Sequence, residues 1–79
     1  MGQVGQNLVG KRVKEARKSA RPPLTQEQLS RKLGKLGISI DRAGIAKIEN
    51  GIRGVLDFEV VALAKALEVQ VTWLLGAKE

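Results

Sequence analysis

The chain has 79 residues with no cysteine and no histidine, which makes it one small domain and excludes disulfides, thiolate metal sites and imidazole chemistry. Its longest apolar runs, such as Val60 to Ala64, fall far short of the ~20 residues that span a membrane. The net charge of +6 is unevenly placed. Residues 1–53 hold twelve Lys or Arg against Glu15, Glu27, Asp41 and Glu49, whereas beyond them Asp57, Glu59, Glu68 and Glu79 outnumber Lys65 and Lys78. Such asymmetry suggests one half turned toward a polyanion and the other toward solvent or protein. A reducing cytoplasm is the expected location.

Residues 1–7 begin glycine-rich, polar and without periodicity, and read as a flexible tail ahead of a domain over residues 8–76. Residues 77–79 read as a second tail. A first helix is expected from Asn7, as N-cap, to about Ala20. Val9, Val13, Ala16 and Ala20 follow helical spacing, and Lys11, Arg12, Lys14 and Lys18 occupy other sides. The apolar residues are small and include no aromatic, so the helix is expected in a bundle rather than on a membrane surface. Arg21-Pro22-Pro23 ends it, because a residue before proline is pushed out of helical geometry.

Thr25 is a good N-cap for a second helix from Gln26, with Leu29, Leu33 and Leu36 recurring on one face. Gly37 or Gly34 can close it, and continuation through Leu36 is expected because Leu36 then shares the leucine face. Asp41 caps a third helix from Arg42 to about Asn50, which stops at Gly51. At about 100° per residue, Ala43, Ala46, Lys47 and Asn50 fall opposite Ile45 and Ile48, with Arg42 at the N-terminus. That face has little to give a core and much to offer a polyanion. Gly44 costs about 1 kcal/mol relative to alanine inside a helix. Either a phosphate or base approaches it closely, or the second helix packs against it. Glu49 lies near Ile45 on the wheel, so it is partly buried and needs a partner.

After a loop from Ile52 to Leu56, Asp57 offers a cap for a fourth helix with Val60, Leu63, Ala64 and Leu67 as its stripe and Val61 beside it. A last short helix around Thr72 to Leu75 carries Trp73, Leu74 and Leu75. Five helices and no credible strand make the class all-α.

LTQEQLSRKLG at Leu24 to Gly34, IAKIENG at Ile45 to Gly51, and LAKALEV ahead of VTWLLG together resemble the helix-turn-helix domains of the phage repressor and Cro type. The resemblance runs from about Leu8 to Gly76. It implies a compact five-helix bundle whose third helix enters the DNA major groove while the second lies across the backbone. By motif position it implies that Gln26 contacts or orients on a phosphate, with Thr25 beside it as cap. Arg42 and Ala43 would open the recognition helix and touch base edges, Gly44 follows them, and Lys47 lies one turn on. Asn50 would meet the backbone, Ser30 is the small residue where the second and third helices approach, and Arg17 is the partner of Glu49. Against the family's short turn, Lys35 to Ser39 is an insertion, expected to lengthen the second helix. Leu56 stands where a capping Ser or Thr is usual, and Glu68 where a glycine commonly closes the fourth helix.

Arg and Lys can donate to guanine O6 and N7, and Ala43 can meet a thymine methyl. Lys47 reads a base or touches a phosphate, which positions without specifying. Arg53 is expected to be a phosphate ligand whose loss leaves the fold intact. No serine has a nucleophile motif around it and no Gly-Lys-Ser or Gly-Lys-Thr follows the glycines. No catalysis, cofactor, metal or small-molecule ligand is therefore expected. The expected function is that of a sequence-specific transcriptional regulator, a repressor binding double-stranded DNA at a palindromic operator as a homodimer. The dimer surface is expected at Val71, Trp73, Leu74 and Leu75, since so small a domain cannot easily bury them all. The alternatives are an antitoxin or restriction-system controller on the same fold, or a protein-interaction module without DNA readout.

Overall fold

The computed structural model describes residues 6–76, which form α1 (Gln6–Ser19), α2 (Gln26–Lys35), α3 (Arg42–Glu49), α4 (Asp57–Leu67) and α5 (Val71–Leu74). Among the described residues there is no strand, and the fold is all-α with five helices. The helix already includes Gln6 and Asn7, so Asn7 is not its cap. The expected tails otherwise fall on residues outside the described ones.

One core holds the bundle together. Val9, Val13 and Ala16 of α1, Leu29 and Leu33 of α2, and Ile45 and Ile48 of α3 meet α4, which sinks Val60, Leu63, Ala64 and Leu67 among them. The spacing of these residues on each helix is what puts them on one side. α3 lies against both α1 and α2, while α4 packs on α1, α2 and α5. The α1 to α3 approach is set by Gly10, where an added Cβ would collide with the carbonyl oxygen of Ile48. This close contact of two backbones was not apparent from the sequence spacing.

The caps explain where the helices stop. Thr25 forms a full capping box: its hydroxyl accepts from the Gln28 amide at 3.0 Å, and the Gln28 side chain accepts from the Thr25 amide at 2.8 Å. α2 ends at Lys35, earlier than expected. Gly37, at φ 84, lets Ile38 N–H reach back to the Leu33 carbonyl at 2.9 Å, a Schellman closure. Ile38 then packs against the core, and Leu36 is left 44% exposed rather than on the leucine face. Leu36 to Ser39 thus belong to the turn and not to a longer helix. α3 closes the same way at Gly51, φ 73, with Ile52 N–H bonded to the Lys47 carbonyl at 2.8 Å, which leaves Asn50 as the capping residue.

At α4 the cap position is Leu56, and Asp57 is the first helical residue, contrary to expectation. Leu56 offers the helix start no side-chain acceptor, and of the backbone amides there the Glu59 carboxylate meets only that of Leu56, at 3.0 Å. Glu68 ends α4 in the left-handed region at φ 59, a conformation that favours glycine. α5 begins one residue before the expected Thr72.

Candidate nucleic-acid interface

α3 has two unlike sides. Ile45, Ile48 and Glu49 are buried, whereas Arg42, Ala43, Lys47 and Asn50 are exposed and Ala46 is intermediate. Asp41 fixes the start of the helix by accepting from the Gly44 amide at 2.8 Å. Gly44 does not stand with the exposed residues, because a Cβ there would press on Ile40 Cγ2 at 2.9 Å and Asp41 Oδ1 at 3.1 Å. Close packing against the turn is thus one reason for the glycine. Among the described residues, neither the Arg42 nor the Lys47 side chain has an intramolecular hydrogen bond or ion pair.

The N-terminus of α2 lies near that of α3. Arg42, Thr25 and Gln26 share the wall of one open groove of about 590 Å³ with Lys18, Arg17 and Leu24. The α2 N-terminus, Arg42 and Lys18 favour an anion in this groove, while the Glu27 carboxylate on the same wall opposes one. The sequence placed Lys18 only among the basic residues on the other sides of α1. Lys47, Asn50 and Arg53 are not part of this groove.

Beneath it lies a buried ionic network. Arg17 Nε and Nη2 donate to the two oxygens of Glu49 at 2.8 and 3.0 Å, and Arg17 Nη1 donates to the Leu24 carbonyl at 2.9 Å. Gln26 Nε2 completes the set by donating to Glu49 Oε1 at 3.1 Å. A bidentate pair with its remaining lone pairs satisfied can be buried without an orphaned charge. It ties α1 to the end of α3 and holds Gln26 from behind. Ser30 secures the turn ahead of α3 by donating to the Ile40 carbonyl at 2.6 Å.

A second pair was missed by the sequence reading. Arg53 donates to both oxygens of Glu59 at 3.0 and 2.9 Å, and also to the Gly54 carbonyl at 2.9 Å. The Arg53 hydrogen bonds, and then the Leu56 amide, hold the Glu59 carboxyl below the ordinary carboxylate value. The same bonds raise the Arg53 guanidinium further above its already high value. Arg53 thus braces the α3 to α4 loop, and its loss is not neutral for the fold. The missed signal was a glutamate three residues after a helix start.

At the far end, Leu74 is fully buried in the core and is removed from the expected dimer surface. Trp73 is half-buried beneath Arg12, whose guanidinium sits 4.8 Å from the ring centroid and donates to the Trp73 carbonyl at 2.7 Å. Val71 is half-buried, and Leu75 is 49% exposed.

No helix among the described residues is long and apolar enough to cross a membrane. Among curated proteins and among solved structures, none matches the chain. A family model described as helix-turn-helix matches residues 13–74, a span that takes in all of α2 to α5 and the second half of α1. The chain therefore belongs to the phage repressor and Cro type of helix-turn-helix domain and is a DNA-binding regulator.

Proposed function

We propose that the chain is a sequence-specific transcriptional repressor that acts by occupying its operator and reads the major groove with α3. The observation that carries this reading is the exposed side of α3, where Arg42, Ala43 and Lys47 stand free of the core that holds Ile45 and Ile48. Arg42 donates to guanine acceptors, Ala43 meets a thymine methyl, and Lys47 one turn on reaches a further base. Thr25 and Gln26 at the α2 N-terminus, with Lys18 beside them, hold a phosphate and so fix the register. Asn50 contacts the backbone on the other flank. Arg53 lends its charge to that flank while its bonds stay with Glu59.

One recognition helix reads only a few base pairs, so the active form is a homodimer on a palindromic site, with half-sites about one helical turn apart. The contact lies at the α5 end through Val71, Trp73 and Leu75. Selection of bound sequences from a random duplex pool tests both parts. The expected product is a dyad-symmetric site filled by two chains. Failure to enrich any sequence would remove sequence-specific readout, and one chain per duplex at saturation on an asymmetric site would remove the dimer.

A further inference from the structure

The cations of α1 divide by what they touch. Arg17 is spent on Glu49 and the Leu24 carbonyl, and Arg12 on Trp73. Lys11, Lys14 and Lys18 are exposed, and among the described residues the side chain of none has an intramolecular hydrogen bond or ion pair. At a spacing of three and then four residues they fall within about 60° of one another on the helix. They form a ladder about 10 Å long, given the rise of an α-helix.

Two contacts place this ladder beside α3. Gly10 packs on the Ile48 carbonyl at the C-terminal end of α3, and Lys18 shares a groove with Arg42 at its N-terminal end. α1 thus runs alongside α3 in the opposite direction, and Lys14 stands between those two points. By angle Lys14 is nearest the α3 side, about 50° from the direction of Gly10 and Arg17, and Lys11 is farthest round at about 110°. The carboxylates on this side are largely engaged. Glu49 is neutralised by Arg17, Glu27 on the groove wall pairs with Arg31 at 3.2 Å, and Asp41 accepts from the Gly44 amide. Glu15 stands one turn from Lys11 and Lys18, but it lines a separate groove with Trp73 and Glu68. On α1, three unpaired lysines therefore stand against one unpaired carboxylate.

We propose that Lys11 and Lys14 carry the DNA contact along α1, each meeting a phosphate of the strand that borders α3, and so continue the row of cations that begins with Lys18 in the α2 groove. The proposal rests on the reading that α3 enters the major groove. In that docking α1 lies along one wall of the same groove, and an ammonium on a flexible four-carbon stem suits a phosphate as a point charge. Such contacts add affinity and fix position without choosing sequence.

The double variant Lys11→Gln with Lys14→Gln tests this against Lys32→Gln with Lys65→Gln, which removes the same charge from exposed positions on α2 and α4. All four positions are exposed, so circular dichroism should report an unchanged fold for both doubles. The α1 double should weaken the selected and the random duplex alike, about tenfold each, and lower the salt slope of log affinity by about 1.8, which is about 0.9 for each of two phosphates. The control double should change both quantities far less. Ethylation of single phosphates on the selected duplex should reveal positions that hinder the wild type and no longer hinder the α1 double. Equal losses in the two doubles would mean that the lysines add only general field and would overturn the proposal, as would an ethylation pattern that the α1 double leaves unchanged. The preference of the wild type for the selected duplex judges the α3 reading separately. A wild type without preference removes that reading and this proposal with it, whereas a wild type with preference whose α1 double matches the control removes this proposal alone.

Discussion

Among the described residues, Glu49 and Glu59 are the two buried carboxylates on which the geometry around α3 rests, and each is neutralised by an arginine from another part of the chain. In the Arg17 pair the side chains are only 10% and 3% exposed, so removing either partner strands a charge away from water. Arg17→Ala or Glu49→Ala should cost about 3 kcal/mol or more. A double-mutant cycle read by denaturant unfolding should show strong coupling between them, and additive losses would mean that the bidentate pair contributes nothing. The Arg53 pair is more open on its cationic side, so Arg53→Ala should cost a smaller amount, about 1 to 3 kcal/mol. Its pH dependence is directional. Because folding lowers the Glu59 pKa, the stability it contributes is present above the ordinary carboxylate value and is lost as pH falls through the lowered one. The stability gap between the wild type and Glu59→Gln should therefore be widest near neutrality and shrink in acid; a gap independent of pH would contradict the pairing. Glu49 was legible in the sequence as a buried residue in need of a partner because the wheel places it near Ile45. The wheel could not show that Glu59 would do the same at α4, since its carboxylate is drawn in by Arg53 across a loop.

At the scale of the elements, the order and type of the helices were legible because each buried stripe keeps helical spacing and each break carries proline, glycine or a capping side chain. The helix ends were less so. Leu36 fits the leucine face by angle alone, but the Schellman closure at Gly37 turns the chain back and puts Ile38 against the core instead. A helical wheel assumes the helix continues, and so it fails at a cap. Leu56 and Glu68 both break the usual end chemistry of α4, the first leaving only the bond from its own amide to the Glu59 carboxylate and the second held at φ 59 by the carbonyls it closes on. Gly10 was invisible for another reason, since its role depends on a helix distant in sequence. Its missing Cβ lets α1 meet the end of α3 backbone to backbone, and the Arg17 pair spans the same two helices. Gly10→Ala must push the two helices apart, at an expected cost of about 3 kcal/mol. Thermal unfolding of this variant beside Gly34→Ala, where an added Cβ meets open space, should show a large loss for the first only. Similar stability of the two variants would mean that α1 and α3 separate easily.

For the whole molecule, the lopsided charge of the sequence becomes a division of surfaces. Arg42 and Lys18 stand around the α2 N-terminus with Lys47 further along α3, while the carboxylates beyond residue 54 include one that is consumed internally. The candidate site was legible in part. Arg42, Ala43, Lys47 and Asn50 are exposed where the wheel places them, Gly44 serves its own turn, and Leu74 belongs to the core. The last could not be foreseen from a run of three large residues, because which of them points inward depends on where α5 lies on α1 and α4. The central claim is that α3 reads bases rather than merely adding charge. It is tested most directly by the ratio of affinities for a selected duplex and a random one, measured at one fixed salt concentration for the wild type, Arg42→Ala and Lys47→Ala. Loss of a good base contact removes about 1 to 3 kcal/mol of discrimination, so each substitution should lower that ratio roughly tenfold while binding to random duplex weakens far less. If both variants lose affinity for the selected and the random duplex by the same factor, leaving the ratio unchanged, the exposed side of α3 acts only as positive charge and the account is wrong.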